Sequence, residues 1–345
     1  MDFLQYTAGP DDDGRRLDRV IRIILKNVPI SELYKLIRKG LIRLNGKKTE
    51  CNIRIKNGDI LQIAKSVVAS QTSVQTDTCD IKVTEDIHLE DVFINQHIRI
   101  INKPYGISVH GGGYNAVGTI SLEQIVKQQF LKKLSEQPDN INESLSFRPG
   151  PLHRIDRHTT GLVVFSQSLE GAKVFSTMMQ NHEIKKEYLA VLCGTLSGTE
   201  TWEDTISDET DKADAISDNK NSFHTVRICD KNETQSGKKA TSKATPLAHG
   251  LFAGIDITLA RIEIETGRKH QIRSQSAHHG YPLLGDIAYG GKNPPSIDGH
   301  FMLHAWRMTF QSNNKLDLPE TVTATLPEKF QFFIRNHLSQ CHISL

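Results

Sequence analysis

The sequence contains few cysteines, and their spacing follows no recognised pattern. There are five in 345 residues, an odd number, and no two of them form a CxxC pair. A disulfide framework or a zinc module needs paired cysteines at short spacing. We therefore expect a cytoplasmic protein without structural disulfides, in which the free cysteines are Cys51, Cys79, Cys193, Cys229 and Cys341.

Long apolar runs are also absent. The sequence has no stretch of about 18 apolar residues, which a transmembrane helix requires. Its first residues, MDFLQYTAGPDDDGRR, place acids where a secretory signal has its apolar core. We therefore expect neither a membrane span nor export. With 37% hydrophobic and 24% charged residues, the composition is typical of a globular protein with one large and one small domain.

Motifs for nucleotides and metals are missing too. Gly111, Gly112 and Gly113 lack the Gly-Lys-Ser/Thr that completes a P-loop. The chain has fifteen histidines, and His278 and His279 are adjacent, but no HExxH motif or mixed Cys/His spacing accompanies them. We predict no cofactor and no metal site.

The charge is unevenly distributed along the chain, although the net charge is only +2. Residues 14–65 contain 14 Lys or Arg and four acids, a net of +10. Residues 199–219 contain eight acids and one lysine, a net of −7. A compact basic module is typical of proteins that bind a polyanion, although a solvated basic surface would give the same count.

Residues 1–64 are predicted to form a small domain of two helices and a hairpin. Apolar residues recur at helical spacing from Leu17, Ser31 is a candidate N-cap for the second helix, and Gly40 ends it. Asn45 and Gly46 predict a hairpin turn, and Ile60 begins a closing strand. The segments GRRLDRVIRIILKNVPISELYKLIRKGLIRLNGKK and IKNGDIL resemble an S4 domain. That resemblance implies RNA binding by the second helix and the following loop, which contain Arg38, Lys39, Arg43 and Lys47.

The rest of the chain predicts a linker and a larger domain. Residues 65–87 are rich in Ser, Thr and Gln, and we interpret them as a flexible linker. Residues 88–345 contain many short β-branched runs and few helical stretches, which predicts a large, mixed, mainly antiparallel sheet. The expected fold class is therefore α+β, with a small α/β domain followed by this sheet. Residues 199–222 are acidic and poor in apolar residues, which predicts a surface insertion.

Three clusters in the larger domain contain candidates for chemistry. In HRIDRHTTG, Asp156 lies between Arg154 and Arg157, whose charges favour an ionised carboxylate able to act as nucleophile or base. A surface ion pair would give the same pattern. In TGRKHQIR, followed by GYPLLGD, Arg273 is a candidate partner for Asp156, although a basic helix terminus is the alternative. In KKEYLAV, Tyr188 is either a base-stacking residue or an ordinary strand tyrosine.

Taken in order, these clusters resemble the RluA-type family of pseudouridine synthases. The segment around Lys103 is similar to the family's opening strand, and LHAW from Leu303 is similar to its closing motif. The resemblance implies an RNA isomerase in which Asp156, Tyr188 and Arg273 are catalytic. Substrate or RNA contacts would come from Lys103, Arg154, Arg157, Arg268 and His270. With the S4-like segment in front, the chain is most similar to members that act on large-subunit ribosomal RNA, and we expect a monomer.

Two departures from the family pattern and several alternatives remain. The family usually has an acid at the position of His158, and a Val-His pair where this chain has Ser274 and Gln275. The sequence leaves open whether Asp156 attacks the base, attacks the ribose carbon or removes a ribose proton, and which uridine is the target. A non-catalytic RNA-binding protein would form no pseudouridine. A hydrolytic glycosylase would release free uracil.

Overall fold

The structure is a computed structural model that describes most of the chain. The described residues are 2–25, 28–72, 87–111, 120–136, 144–145, 147–207, 225–229, 237–294, 297 and 300–339. They form two sheets, one in each predicted domain. No helix in these ranges is long and apolar enough to cross a membrane.

The N-terminal domain packs two helices on a four-stranded sheet with the strand order β1-β4-β2-β3. Its elements are β1 (Phe3–Thr7), α1 (Leu17–Ile24), α2 (Ile30–Lys39), β2 (Ile42–Leu44), β3 (Lys47–Lys48) and β4 (Ile60–Ala64). The two predicted helices, the hairpin and the closing strand are confirmed. Strand β1 was not predicted, and it pairs antiparallel with β4 along its whole length.

The ends of α2 show where local rules held and where they failed. Gly40 adopts a left-handed conformation with φ of 71°, as its predicted role at the helix end requires. Asn45 and Gly46 also have positive φ, at 51° and 77°, and form the predicted tight turn. Ser31 is not the N-cap, however, because α2 already begins at Ile30 after Pro29. Pro29 has its φ fixed by its ring and takes the N-cap position itself, so the helix starts two residues earlier than an N-cap at Ser31 predicts.

The predicted flexible linker begins with a helix, so that part of the prediction is wrong. Lys65–Thr72 forms α3, which directly follows β4. Val67 is only 6% exposed and packs into the core of the N-terminal domain. The segment is polar overall, but one buried valine is enough to dock its first turns on the domain. Residues 73–86 of the predicted linker lie outside the described residues.

The C-terminal domain is built on an eleven-stranded sheet. Its path is β10-β9-β11-β12-β8-β13-β7-β6-β5, with β14 paired to β13 and β15 paired to β11. The strands are β5 (Glu90–Ile94), β6 (Ile98–Lys103), β7 (Thr160–Ser166), β8 (Ile184–Cys193), β9 (Glu200–Ser207), β10 (Arg227–Ile228), β11 (Lys238–Phe252), β12 (Ile255–Ile264), β13 (Leu303–Phe310), β14 (Thr321–Thr323) and β15 (Leu338–Ser339). Only the β13–β7 pair is parallel among the described pairs, so the predicted mixed, mainly antiparallel sheet is confirmed.

Helices cover both faces of this sheet. The four are α4 (Leu122–Glu136), α5 (Leu169–Gln180), α6 (Gln271–His278) and α7 (Glu328–His337). Buried residues of α4 and α6 pack with alternate residues of the central strands, including Tyr188 and Ala190. The intervening residues, such as Leu189 and Val191, pack with α7 on the other face. Tyr188 therefore faces α6, on one side of the sheet.

The predicted acidic insertion also needs correction. Residues 200–207 form β9, which pairs with β11 through seven consecutive positions. Trp202 in this strand is only 1% exposed and belongs to the main core. Glu200 and Asp204 lie on the same face of β9 as Trp202 and Ile206, and only Glu203 of its three acids is exposed, so a residue count over the window hid a strand with one buried face. Residues 208–222 lie outside the described residues.

Asp12 connects the two domains. It is fully buried, and its carboxylate accepts hydrogen bonds from Ser144 Oγ at 2.7 Å and from the Leu145 amide at 2.7 Å. It also accepts one from the Gly9 amide at 3.0 Å within its own domain. Leu145 packs against the N-terminal core. A segment next to the C-terminal domain is therefore bound directly by the N-terminal domain.

Gly161 allows three central strands to meet closely. Ala305 of β13 is opposite Gly161 of β7 and also opposite Tyr188 of β8. Gly161 has φ of 105°, and a Cβ at this position would overlap the backbone of Ala305. Only glycine combines this backbone conformation with this contact. The register places the residues before β7 beside Tyr188.

We predict that Gly161→Ala lowers the free energy of unfolding by about 3 kcal/mol or more, because both the backbone and the β7–β13 contact must shift. The matched control is Gly198→Ala, since a Cβ there has no neighbour within 4 Å and φ is not positive. Urea unfolding of both variants measures the difference. Equal stability of the two variants would contradict the role given to Gly161.

Candidate active site

Asp156 lies in the loop that leads into β7. Its side chain is 19% exposed, and the preceding Ile155 is buried in the main core. The amide of Thr159 donates to the Asp156 carbonyl at 3.1 Å, which closes a turn. The carboxylate is therefore presented to a cleft from a fixed backbone.

Lys103 holds this loop in place through buried hydrogen bonds. Because its side chain is buried, the predicted contact of Lys103 with RNA is wrong. The side chain is fully buried, and Nζ donates to the carbonyls of Pro104 at 2.9 Å, Ile107 at 2.9 Å and Arg157 at 3.0 Å. Burial lowers the pKa of Lys103 to about 7, although the charge of Asp156 acts in the opposite direction. Lys103 thus joins the end of β6 to the Asp156 loop and reaches no solvent.

Arg273 on α6 faces Asp156 but binds another carboxylate more closely. Its Nε and Nη2 donate to the two carboxylate oxygens of Asp286 at 2.7 and 2.8 Å, a bidentate pair. Its Nη1 is 3.5 Å from Asp156 Oδ2, which is long for a hydrogen bond. The predicted pairing of Arg273 with Asp156 is therefore present as a looser ion pair. Asp286, which is 1% exposed, was not among the residues predicted for the site.

Aromatic rings complete the environment of Arg273. Its guanidinium carbon is 4.5 Å from the centre of the Phe301 ring and 4.9 Å from that of Tyr289. Burial by itself lowers the pKa of Arg273, but the hydrogen bonds and charge of Asp286 raise it by more, and the net direction is upward. The cation beside Asp156 is therefore permanent.

Tyr188 and His270 complete the walls around Asp156. Burial, and secondarily the charge of Asp156, raise the pKa of the Tyr188 hydroxyl, so Tyr188 remains a protonated phenol. His270 Nε2 is 3.9 Å from Asp156 Oδ1, and its Nδ1 forms a hydrogen bond with the Tyr289 hydroxyl at 2.9 Å. Burial lowers the pKa of His270 to about 4 despite the nearby carboxylate, so the ring is neutral near pH 7.

The arginines adjacent to Asp156 in sequence do not pair with it. Arg154 and Arg157 are exposed, and neither forms an ion pair with Asp156 in the part of the chain that the structure describes. Arg157 Nε donates to the Gly106 carbonyl at 2.8 Å. Arg268 is exposed as well, and its Nε donates to the Lys239 carbonyl at 3.0 Å. The expected enclosure of Asp156 by its neighbours is thus wrong, and the cation comes from residue 273.

Two adjoining spaces open beside Asp156. A cleft of about 460 Å³ is bordered by Asp156, Arg273, Asp286 and Phe301. A smaller cavity of about 120 Å³ has walls that include Asp156, Arg273 and Tyr188, so the three predicted catalytic residues meet there. A larger cleft of about 830 Å³ lies elsewhere, between Asp11 of the N-terminal domain and the start of the C-terminal sheet. We place the candidate site at the two smaller spaces because the titratable groups converge there.

Both departures from the family pattern have structural counterparts. His158 borders the 460 Å³ cleft beside Asp156, and it stacks on Tyr105 with ring centres 4.9 Å apart. Gln275 is fully buried, accepts from Ser242 Oγ at 2.7 Å and donates to Asp204 Oδ2 at 2.7 Å. Gln275 therefore connects α6 to β11 and β9. The glutamine that departs from the family pattern thus binds β9, the strand that lies in the predicted acidic insertion.

The predicted RNA-binding residues of the N-terminal domain share one region. Arg38 and Lys39 end α2, while Arg43 and Lys47 lie on β2 and β3. Arg38, Lys39 and Lys47 are exposed. Arg43 is half-buried, with its guanidinium carbon 4.7 Å from the centre of the Phe3 ring. Three of the four are therefore accessible to a phosphate backbone.

Comparison with known proteins decides the family. Residues 97–278 match the RNA pseudouridylate synthase family, and residues 15–61 match the S4 domain. The chain belongs to the RNA pseudouridylate synthase family. It is therefore an isomerase that acts on RNA, and the resemblance predicted from the sequence is confirmed.

The chain resembles several relatives over most of its length. It is 31% identical to ribosomal large subunit pseudouridine synthase C of Buchnera aphidicola, over 83% of this chain and 80% of that protein. It is 28% identical to the protein of that name from Vibrio parahaemolyticus, over 87% of both chains. The structure of human RNA pseudouridylate synthase domain containing 1 superposes with a TM-score of 0.52 at 21% identity. It covers 71% of this chain and 86% of the human one, which supports the fold.

The bidentate pair leads to a prediction. Asp286→Asn should lower the free energy of unfolding by about 3 kcal/mol, because it leaves the buried charge of Arg273 with Asp156 as its counter-charge, at the longer distance of 3.5 Å. Glu32→Gln is the control, since the Glu32–Lys35 pair is exposed on both sides, with side chains 45% and 56% exposed. Exposed pairs contribute about 0–1 kcal/mol. Urea unfolding tests both variants, and a similar loss in the two would show that Asp286 does not compensate a buried charge.

Buried histidines predict how stability depends on pH. His304 Nδ1 bonds Thr160 Oγ1 at 2.7 Å, and burial lowers the pKa of His304 to about 4. Because an unfolded histidine titrates near pH 6.5, this residue's contribution is complete above about pH 6.5 and is lost as the pH falls towards 4. Between pH 6.5 and 5, His304→Gln should reduce the pH slope of the unfolding free energy by roughly one proton, about 1.4 kcal/mol per pH unit. The same change at exposed His300 should leave the slope unaltered. A slope unaffected by His304→Gln would disprove the assignment.

Proposed function

We propose that this enzyme converts uridine to pseudouridine in large-subunit ribosomal RNA, with Asp156 as the catalytic carboxylate. The observation behind the proposal is the position of Asp156, partly exposed where the cleft meets the cavity and 3.5 Å from Arg273. The names of the relatives from Buchnera and Vibrio support ribosomal RNA as the substrate.

The environment of Asp156 suits this reaction. The bond between base and ribose moves from a ring nitrogen to a ring carbon, the carbon loses a proton, and the nitrogen gains one. The atoms balance, and the step needs a carboxylate that acts on the substrate and a group that manages a proton. Arg273, fixed by Asp286, places a permanent positive charge 3.5 Å from Asp156 Oδ2. Tyr188 supplies a flat ring and a protonated hydroxyl on the wall of the same cavity.

The target base must leave its stack to reach Asp156. Such flipping costs a few kcal/mol, and less for a base in a loop or bulge. Exposed Arg154, Arg157 and Arg268 around the site can contact the phosphates of a distorted strand. Tyr105 and His158 at the border of the cleft add rings on which unpaired bases stack.

The N-terminal domain supplies RNA contacts that are independent of the chemistry. Arg38, Lys39 and Lys47 are exposed on one part of its surface. Contacts of this kind bind phosphates without reading the sequence, and each weakens as salt rises. We therefore assign affinity and placement to this domain and isomerisation to the C-terminal domain.

Asp156→Asn should abolish turnover while RNA binding is retained. The amide keeps the shape of the side chain but cannot act as nucleophile or base. We expect the single-turnover rate on deproteinised large-subunit ribosomal RNA to fall by at least about a thousandfold, equivalent to about 4 kcal/mol in the barrier. Affinity should stay within about threefold of wild type, since phosphate contacts dominate it.

Asp256→Asn is the matched control, because Asp256 is exposed on β12 away from both spaces and should be fully active. Pseudouridine is counted after carbodiimide labelling, and free uracil is measured in the same reactions. Residual activity of Asp156→Asn within about tenfold of wild type would remove Asp156 from the chemistry. Release of uracil by the wild type would indicate a glycosylase instead.

A further inference from the structure

Thr159 has an unusual hydroxyl. The residue is 2% exposed, and Oγ1 is buried without a hydrogen-bond partner among the residues that the structure describes. A buried polar atom left unpaired is destabilising. Such an atom in a native protein calls for an explanation, such as a catalytic role or a bound water.

The neighbouring threonine shows that the local fold can satisfy a hydroxyl. Thr160 is 5% exposed, and its Oγ1 forms a 2.7 Å hydrogen bond with His304 Nδ1. The two residues are adjacent, buried and identical in type. They differ in direction, because successive residues entering a strand point to opposite faces. Thr160 points to a protein partner, and Thr159 is on the other side.

Thr159 borders the small cavity that also contains Asp156 and Tyr188. Its amide donates to the Asp156 carbonyl at 3.1 Å, so it belongs to the same turn as that carboxylate. The wall combines apolar residues such as Ile264 and Leu303 with charged residues such as Arg154 and Lys269. A flat, partly polar ring that entered this cavity would therefore meet both apolar surface and hydrogen-bonding groups.

Gln271, another polar residue of the wall, is already engaged. Its Nε2 donates to the Thr241 carbonyl at 3.0 Å and to Ser242 Oγ at 2.9 Å. Its Oε1 accepts from Thr266 Oγ1 at 2.8 Å and from the Arg268 amide at 3.0 Å. The amide group therefore has no free capacity for a ligand, in contrast to the hydroxyl of Thr159.

We propose that Thr159 Oγ1 forms a hydrogen bond with the polar edge of the target uracil when the base occupies this cavity. The inference rests on the proposed function of the site. Flipped bases are held by hydrogen bonds to their edge together with stacking, and a hydroxyl can donate to a uracil carbonyl or accept from the ring N–H. Thr159 Oγ1 is itself covered in the free protein, so entry of the base requires the Thr159 side chain to turn towards the cavity as well as exposed Arg154 and Lys269 to move aside. Thr159 is then a substrate-positioning residue.

The decisive variant is Thr159→Val, which replaces the hydroxyl with a methyl group of similar size. Because the hydroxyl has no partner in the free protein, the variant should be as stable as wild type or more stable. The kcat/KM on an RNA fragment that contains the mapped target uridine should fall about tenfold. The Kd for the RNA should change by less than about twofold, since phosphate contacts set it. Thr159→Ser restores the hydroxyl and should recover most of the activity.

Thr160→Val is the matched control. It removes a hydroxyl that has a partner and leaves buried His304 Nδ1 without one, so it should lower stability. The expected result is thus a crossed pattern, in which the change at position 159 affects activity and the change at position 160 affects stability. A purely structural role of Thr159 would not produce that pattern.

Three outcomes would overturn the inference. Wild-type kcat/KM in Thr159→Val would show that the hydroxyl does not bind substrate. Lower stability of that variant would show that the hydroxyl has a structural partner, such as a bound water. Loss of the Thr159→Val effect on a fragment with 2′-deoxyuridine at the target would place the contact on the ribose. If the wild type forms no pseudouridine, the proposed function fails first, and the inference fails with it.

Discussion

The guanidinium of Arg273 on α6 binds two carboxylates, that of Asp156, 117 residues earlier in the chain, and that of Asp286, 13 residues later. Asp286 receives the two short hydrogen bonds, which leaves one nitrogen directed towards Asp156. Since the pair with Asp286 compensates the buried charge, the contact with Asp156 can remain loose. A loose contact leaves oxygen lone pairs of Asp156 available to a substrate, whereas a second bidentate pair would occupy them.

The position of Arg273 depends in turn on how α6 is held. Gln275, two residues after Arg273, joins α6 to β9 and β11 through buried hydrogen bonds. His279 after the helix stacks on Trp202 of β9, with ring centres 5.2 Å apart. Strand β9 therefore supports the helix that supplies the arginine. A change that detaches β9 from the sheet would therefore shift α6 and alter the geometry at Asp156, although β9 does not contact Asp156 itself.

The sequence predicted the elements whose signals are local and missed those that depend on distant partners. The turn at Asn45 and Gly46 follows from backbone preferences of two residues. The partner of Arg273 could not be predicted in the same way. The arginines next to Asp156 are close in sequence, but their backbone directs them outward, while Asp286 reaches Arg273 only after folding. Strand β9 was missed because the acids of residues 199–219 were counted together, although Trp202 offered a signal of burial and Asp204 has a buried partner in Gln275.

The buried carboxylate of Asp12 has a consequence for how RNA is held. With its hydrogen bonds to Ser144 and Leu145, it restrains the N-terminal domain relative to the sheet. Two binding surfaces whose separation is restrained lose translational and rotational freedom only once when a single ligand spans both. Under the proposed function, a folded RNA would therefore bind most tightly when the spacing between its contacted phosphates and its target base matches that separation.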